Sequence, residues 1–119
     1  MTAGALIRAL AALGPGASVA YPVDYSTKIE GQFQVVCAFG GAISATRGLR
    51  ITMHGMYGSG GDSSIPNYAF DIPGIGAGSW ESKLFYLGTG YWNIKFLNLD
   101  LANSISFELT NQTVSEMVP

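Results

Sequence analysis

The chain is poor in charge: six Lys or Arg and eight Asp or Glu among 119 residues make 12 %, where soluble domains carry about 25 %. A folded chain of 12.5 kDa presents roughly 6,000 Å² to solvent, so uncharged groups must cover most of that surface. The formal net charge is −2 with no run of like charges, which lacks the basic footprint of a nucleic-acid-binding protein. It equally lacks the polybasic segment that holds a protein on anionic lipid. Neither nucleic acid nor a membrane is expected as a partner.

Cysteine and histidine are almost missing. With Cys37 alone no intrachain disulfide can form, and stability must come from packing. One Cys and one His (His54) do not make a zinc site. They could pair as thiol and imidazole across neighbouring strands, but Cys37 stands between Val36 and Ala38, where a free Cys reads as a small buried hydrophobe. There is no Gly-x-Ser-x-Gly elbow and no Gly-Lys-Ser/Thr phosphate loop. The loop Gly58 to Ser64 offers a single carboxylate, Asp62, without the repeated acidic spacing of a calcium loop. Asp62, Asp71, Glu81 and Asp100 flank different turns, and nothing in their spacing forces two onto one site as glycoside hydrolysis requires. Asn111-Gln112-Thr113 fits a glycosylation sequon, a match expected once by chance. The expectation is a protein without catalytic residues, bound metal or cofactor.

Long apolar runs are absent too, none reaching the roughly 18 residues of a membrane helix. Ala9 to Ala20 is small and apolar, and Ser18-Val19-Ala20 resembles a signal-peptidase site. Yet Arg8 is the single cation before it and Gly14-Pro15-Gly16 breaks it, so it reads as an ordinary N-terminal arm. Within residues 1–16, Leu6, Ile7, Leu10 and Leu13 recur at helical spacing among alanines, which predicts a short helix ended by Gly14-Pro15-Gly16. So short a helix is marginal alone and must dock on something.

What is plentiful is apolar side chain, 48 % of residues with mean hydropathy +0.27, and glycine, sixteen in all. From about Ala17 the hydrophobic period is two. Ile105, Phe107 and Leu109 alternate with Ser104, Ser106, Glu108 and Thr110, a half-buried strand. Leu49, Ile51 and Met53 alternate with Arg50, Thr52 and His54. The segment Tyr91 to Leu99 is apolar on both faces. Further strands are expected at Val19 to Val23, Gln32 to Phe39, Asn67 to Ile72 and Glu81 to Leu87. Turn signals fall at Gly40-Gly41, Gly58 to Ser64, Pro73 to Ser79, Gly88-Thr89-Gly90 and Asp100 to Asn103. Short strands with a turn every 8 to 12 residues predict an all-β fold: an antiparallel β-sandwich, jelly-roll or Ig-like Greek key, over 17–119 behind a helical arm at 1–16. Gly88-Thr89-Gly90 before Tyr91 suits the tyrosine corner of Greek-key sandwiches, and equally a plain core aromatic.

Aromatics make up 12 %. Tyr21, Tyr25, Tyr57, Tyr68 and Trp80 lie at strand ends or beside glycine loops, where Tyr and Trp serve as interface anchors or sugar-stacking platforms. Together with Leu6, Ile7, Leu10 and Leu13 they are the candidate contact residues. A large apolar patch is uncommon on a soluble monomer, so the composition points to a subunit that associates with its own copies. A carbohydrate-binding β-sandwich is the other reading, with Tyr and Trp stacking on pyranose faces.

An ordered series of segments completes the picture. Arg47-Gly48-Leu49-Arg50-Ile51, the Gly58 to Asp62 loop, Phe70-Asp71-Ile72-Pro73, Leu84-Phe85-Tyr86-Leu87-Gly88-Thr89-Gly90-Tyr91, Asn98-Leu99-Asp100 and Asn103-Ser104-Ile105 follow one another in order, within a resemblance that covers residues 17 to 115. This series resembles small virion proteins of tailed bacteriophages, among them the decoration or cement proteins that sit on capsids as compact β-domains, often as trimers. The resemblance implies a non-enzymatic role bridging and stabilising shell subunits. The implied partners are its own copies and the major capsid protein, and the implied location is the virion, assembled in the host cytoplasm.

Overall fold

In a computed structural model, residues 5–39, 48–56, 66–73, 79–111 and 115–116 are described. They form strands β1 (Ala5–Leu13), β2 (Ser18–Ala38), β3 (Leu49–Gly55), β4 (Tyr68–Ile72), β5 (Ser79–Asn98), β6 (Ile105–Asn111) and β7 (Ser115–Glu116), with no helix among them. All pairings are antiparallel, in the order β1-β6-β2-β5-β3-β4, and β7 adds to β2.

β2 and β5 run for 21 and 20 residues, several times a usual strand, and each belongs to both layers. Residues 18–25 of β2 pair with 90–97 of β5, and residues 30–38 pair with 79–88. Between these stretches, residues 26–29 stand opposite Thr89 alone, a bulge in register between Tyr25 and Glu30. Extra residues on one strand bend a ribbon, and here the β2–β5 ribbon crosses from one layer to the other. Gly90, at φ +136, adopts backbone angles that a side chain disfavours. Gly31 lies under the Tyr25 ring so closely that a Cβ there would overlap it.

One layer is therefore β4, β3, the second half of β5 and the first half of β2. The other is β1, β6, the second half of β2 and the first half of β5. With the halves counted as strands, the first pairs with the eighth, second with seventh, third with sixth and fourth with fifth, and third–eighth and fourth–seventh pairs close the sheets. This nested pairing is that of a jelly roll, the first of the two expected topologies.

Rings join the layers. Phe96 of β5 meets Phe107 of β6 at 4.4 Å between centroids, and Phe70 of β4 meets Phe85 at 5.4 Å, while Phe85 stacks on Phe33 at 4.9 Å. The alternation read from sequence holds: Ile105, Phe107, Leu109, Leu49, Ile51 and Met53 are all buried.

Three expectations are corrected. The arm at 1–16 is not a helix: over the described residues it is β1, an edge strand in the sheet. Register shifts between Leu6 and Arg8 and between Arg8 and Ala11 space its inward positions irregularly and imitate a helical period, and the open edge of β6 supplies the hydrogen bonds that a short isolated helix cannot maintain in water. The predicted break Gly88-Thr89-Gly90 is a bend within β5, so Tyr91 follows no corner. For the same reason Val19–Val23 and Gln32–Phe39 are one strand, as are Glu81–Leu87 and Tyr91–Leu99. Gly40-Gly41 and Gly58 to Ser64 lie outside the described residues.

Candidate functional site

β1 pairs with β6 on one side only among the described residues. Its sequence, Ala-Leu-Ile-Arg-Ala-Leu-Ala-Ala-Leu, has neither proline nor acid and one cation. Leu6 and Leu10 are 60 % and 54 % exposed, and Ala9, Ala11 and Ala12 are exposed beside them. Edge strands are usually guarded by a projecting charge, but Arg8 turns onto the protein. Its guanidinium lies 4.2 Å over the Phe107 ring, donates to Tyr21 Oη at 2.6 Å and to the Phe107 carbonyl at 3.3 Å, and reaches back to the Ala11 and Ala12 carbonyls at 2.9 and 3.2 Å. Arg8 thus ties β1 across the sandwich and occupies the last carbonyls of the strand. The remaining stretch, residues 5–10, is open and uncharged apart from the inturned Arg8.

The strip continues past the end of β1. Leu101, 75 % exposed, stands beside Gly16, whose N–H donates to the Asp100 carbonyl at 3.0 Å. A buried amide holds this corner. Asn98, fully buried, donates from Nδ2 to the carbonyls of Leu13, Gly14 and Asn103 at 3.1, 3.1 and 2.9 Å and accepts from the Asp100 N–H at 2.9 Å. Asp100 Oδ1 in turn accepts from the N–H groups of Ala102 and Asn103, both at 2.8 Å. In the sequence Asn98 stands in a largely apolar strand and in the Asn98-Leu99-Asp100 segment, neither of which marks this role. Its role depends on Leu13, 85 positions away, and no local signal gives it.

The candidate contact residues divide. Leu6 and Leu10 are exposed. Ile7 and Tyr21 are partly buried against the core, Tyr21 holding Arg8. Leu13 and Tyr25 are corrected: at 7 % and 0 % exposure they are core and present nothing to a partner. The Tyr25 hydroxyl donates to Asn111 Oδ1 at 2.9 Å and to the Gln32 carbonyl at 3.2 Å, and burial drives its pKa upward. Asn111, the sequon residue, is thus engaged inside the fold. Tyr68 is exposed and tilts 35° against Trp92 at 5.9 Å, while Trp92 Nε1 donates to the Gly88 carbonyl at 2.9 Å. Tyr57 and the Trp80 side chain lie outside the described residues.

Cys37 and His54 do not meet. Cys37 faces the core between Trp80 and Phe107 positions, and burial pushes its thiol up to about 12. His54 sits on β3 in the other layer, its Nε2 3.0 Å from Thr52 Oγ1. Of the carboxylates, Asp71 receives Arg50 Nε and Nη2 at 2.9 and 3.1 Å. Those bonds hold Asp71 below its ordinary range and Arg50 above it. Asp100 organises its own turn, and Asp62 and the Glu81 side chain are not described. Among the described residues there is no group of three or more His, Cys, Asp or Glu able to hold a metal, and no helix is long and apolar enough to cross a membrane.

On the outer face of the β4–β3–β5–β2 layer lies a cavity of about 330 Å³ lined by Pro22, Val23, Asp24, Met56 and Tyr91. A second, of about 260 Å³, lies toward the other end of that layer, lined by Ser18, Arg50, Thr52, Lys95, Phe96 and Leu97. No protein-family model matches the chain, and no curated protein matches its sequence.

Proposed function

We propose that this protein is a non-enzymatic structural component of a virus particle, a capsid decoration or cement protein whose copies and neighbouring shell subunits meet along β1. One observation carries the reading: among the described residues β1 is an open edge with exposed leucines whose single charge is turned inward. Such an edge offers main-chain hydrogen bonds and apolar contact together, the combination by which strands are added across subunits. A subunit that binds only the assembled shell stabilises it by mass action. The charge deficit and the resemblance to phage decoration proteins point the same way. The jelly roll itself adds no weight, since one fold hosts many functions.

Deleting residues 1–16 is the wrong test, because Leu13 belongs to the core and Arg8 ties β1 to Phe107 and Tyr21. Leu6→Lys with Leu10→Lys puts charge on the edge and leaves the interior intact. Sedimentation from about 1 to 200 µM is expected to show association of the wild type, in the weak range that a small interface supports, and monomers of the double variant. Mass spectrometry of purified virions is expected to detect the chain on the shell. A wild type monomeric throughout that range, and missing from particles, defeats the proposal.

A further inference from the structure

We propose that the cavity formed by Pro22, Val23, Asp24, Met56 and Tyr91 is a binding site for one neutral sugar ring. It lies on the opposite layer from the β1–β6 edge, and it stands or falls independently of the assembly reading.

The sheet register builds the site. Asp24 pairs with Tyr91, and Val23 with Trp92, across the β2–β5 ladder. On the other side of Tyr91, the Met56 N–H donates to the Tyr91 carbonyl at 2.9 Å. Asp24, Tyr91 and Met56 therefore form one row across three strands, a carboxylate and a thioether flanking an aromatic residue. Pro22 opposite Asn93 begins the next row and closes the cavity on the β2 side. The row sits where the β2–β5 ribbon bends, next to Gly90.

Each lining group selects for the same ligand chemistry. A half-buried Tyr ring beside Met and Pro presents an apolar surface onto which the C–H face of a pyranose can stack, with a hydroxyl at the ring edge. Asp24 is exposed but oriented: its Oδ1 accepts from Ser26 N–H at 2.9 Å and from Ser26 Oγ at 2.6 Å. An ionised carboxylate is an acceptor only, and hydroxyl-rich ligands are what supply donors to such a group. Among the described residues neither Lys nor Arg lines this cavity, so the charge they present to an anionic ligand is that of Asp24. A methylated ammonium needs aromatic faces on several sides, and the described residues give this cavity one. The volume of about 330 Å³ falls at the small end of ligand sites, enough for one ring and not for a nucleotide or an extended cofactor.

Amide NMR titration with the methyl glycosides of glucose, galactose, mannose and N-acetylglucosamine tests the site. The expected result is saturable shifts at residues 23, 24, 56 and 91 for at least one of the four, with millimolar dissociation constants as befits a single small ring. Tyr91→Ala should weaken binding at least tenfold and Asp24→Asn severalfold, while Tyr91→Phe keeps most of it; the dispersed spectra of the variants report that each remains folded. No saturable shift with any glycoside up to about 100 mM, a scale set by such weak affinities, overturns the proposal. So do shifts centred on Tyr68 and Trp92, or equal binding of choline chloride.

Discussion

Asn98 is the residue whose removal should say most about how this sandwich is held closed. It is fully buried and joins three segments: the end of β1 through the Leu13 and Gly14 carbonyls, the turn at 100–103 through the Asn103 carbonyl and Asp100 N–H, and β5 itself. Its amide carries two hydrogens for three carbonyls, so one contact is shared. Asn98→Leu keeps a similar volume but orphans at least the Leu13 carbonyl and the Asp100 N–H, whose bonds are buried. At about 1 to 3 kcal/mol for each of the two buried groups left unpaired, the loss is about 2 to 6 kcal/mol, a large part of the 5 to 15 kcal/mol that holds a domain folded. Urea unfolding followed by tryptophan fluorescence should show the midpoint falling by about 2 M at unchanged slope, for a slope of about 1 to 3 kcal/mol per M.

Asn98→Asp separates the hydrogen bonds from packing. The new carboxyl keeps the acceptor for the Asp100 N–H but aims oxygen at three carbonyls, which raises its folded pKa above the unfolded value. The folded state then binds more protons, so this variant loses stability as pH rises. It should be closest to wild type near pH 4 and weakest at pH 7. A loss under about 1 kcal/mol in Asn98→Leu would refute the clamp, because that is the cost of one ordinary hydrogen bond. A flat pH response in Asn98→Asp would refute the geometry assigned to Nδ2.

Two further outcomes are expected. Gly31→Ala should cost about 3 kcal/mol or more, since its Cβ must displace the buried Tyr25 ring and overpacking is costly; a far smaller change in urea midpoint would show that the ring does not lie there. Cys37, with its thiol pushed up to about 12, should react with a disulfide reagent at pH 8 only after urea unfolding. Because burial raises this pKa, its contribution to stability is intact below about 9, the unfolded value, and is lost as pH climbs toward 12. Fast labelling of the native protein would place the thiol at the surface instead.

Local alternation made the sheet legible and non-local pairing hid its architecture. Ile105, Phe107 and Leu109 announce β6 because a half-buried strand must alternate. Gly88-Thr89-Gly90 announces only that the backbone departs from an extended path. Whether it reverses the chain or bends it depends on residues 26–29 of the partner strand, which no reading of the glycines includes. β1 misleads for a related reason, since its two register shifts break the period of two that defines a strand. The candidate surfaces follow suit. Leu6 and Leu10 are visible as apolar residues without a partner, whereas the Asp24–Tyr91–Met56 row exists only once three strands are placed side by side.

The shortage of charge also takes on a location it did not have as a composition. Tyr91 to Leu99 reads as apolar on both faces, but Ile94 and Phe96 are core, and Tyr91, Leu97 and Leu99 are half-buried rather than exposed. That strand is central in its layer, between β2 and β3, and its outer face carries Asn93 and Lys95 between Tyr91 and Leu97, so it presents no continuous apolar surface. β1 has no such neighbour on its outer side among the described residues. Its cation is engaged by Phe107 and Tyr21 when an outward Arg or Lys would have guarded the edge. Exposed leucine therefore gathers at Leu6, Leu10 and Leu101, along one border of the molecule and around the corner that Asn98 holds. If that border is where copies meet, loosening the Asn98 clamp should weaken association beyond what its stability loss predicts, because it frees the end of the strand that a partner must pair with.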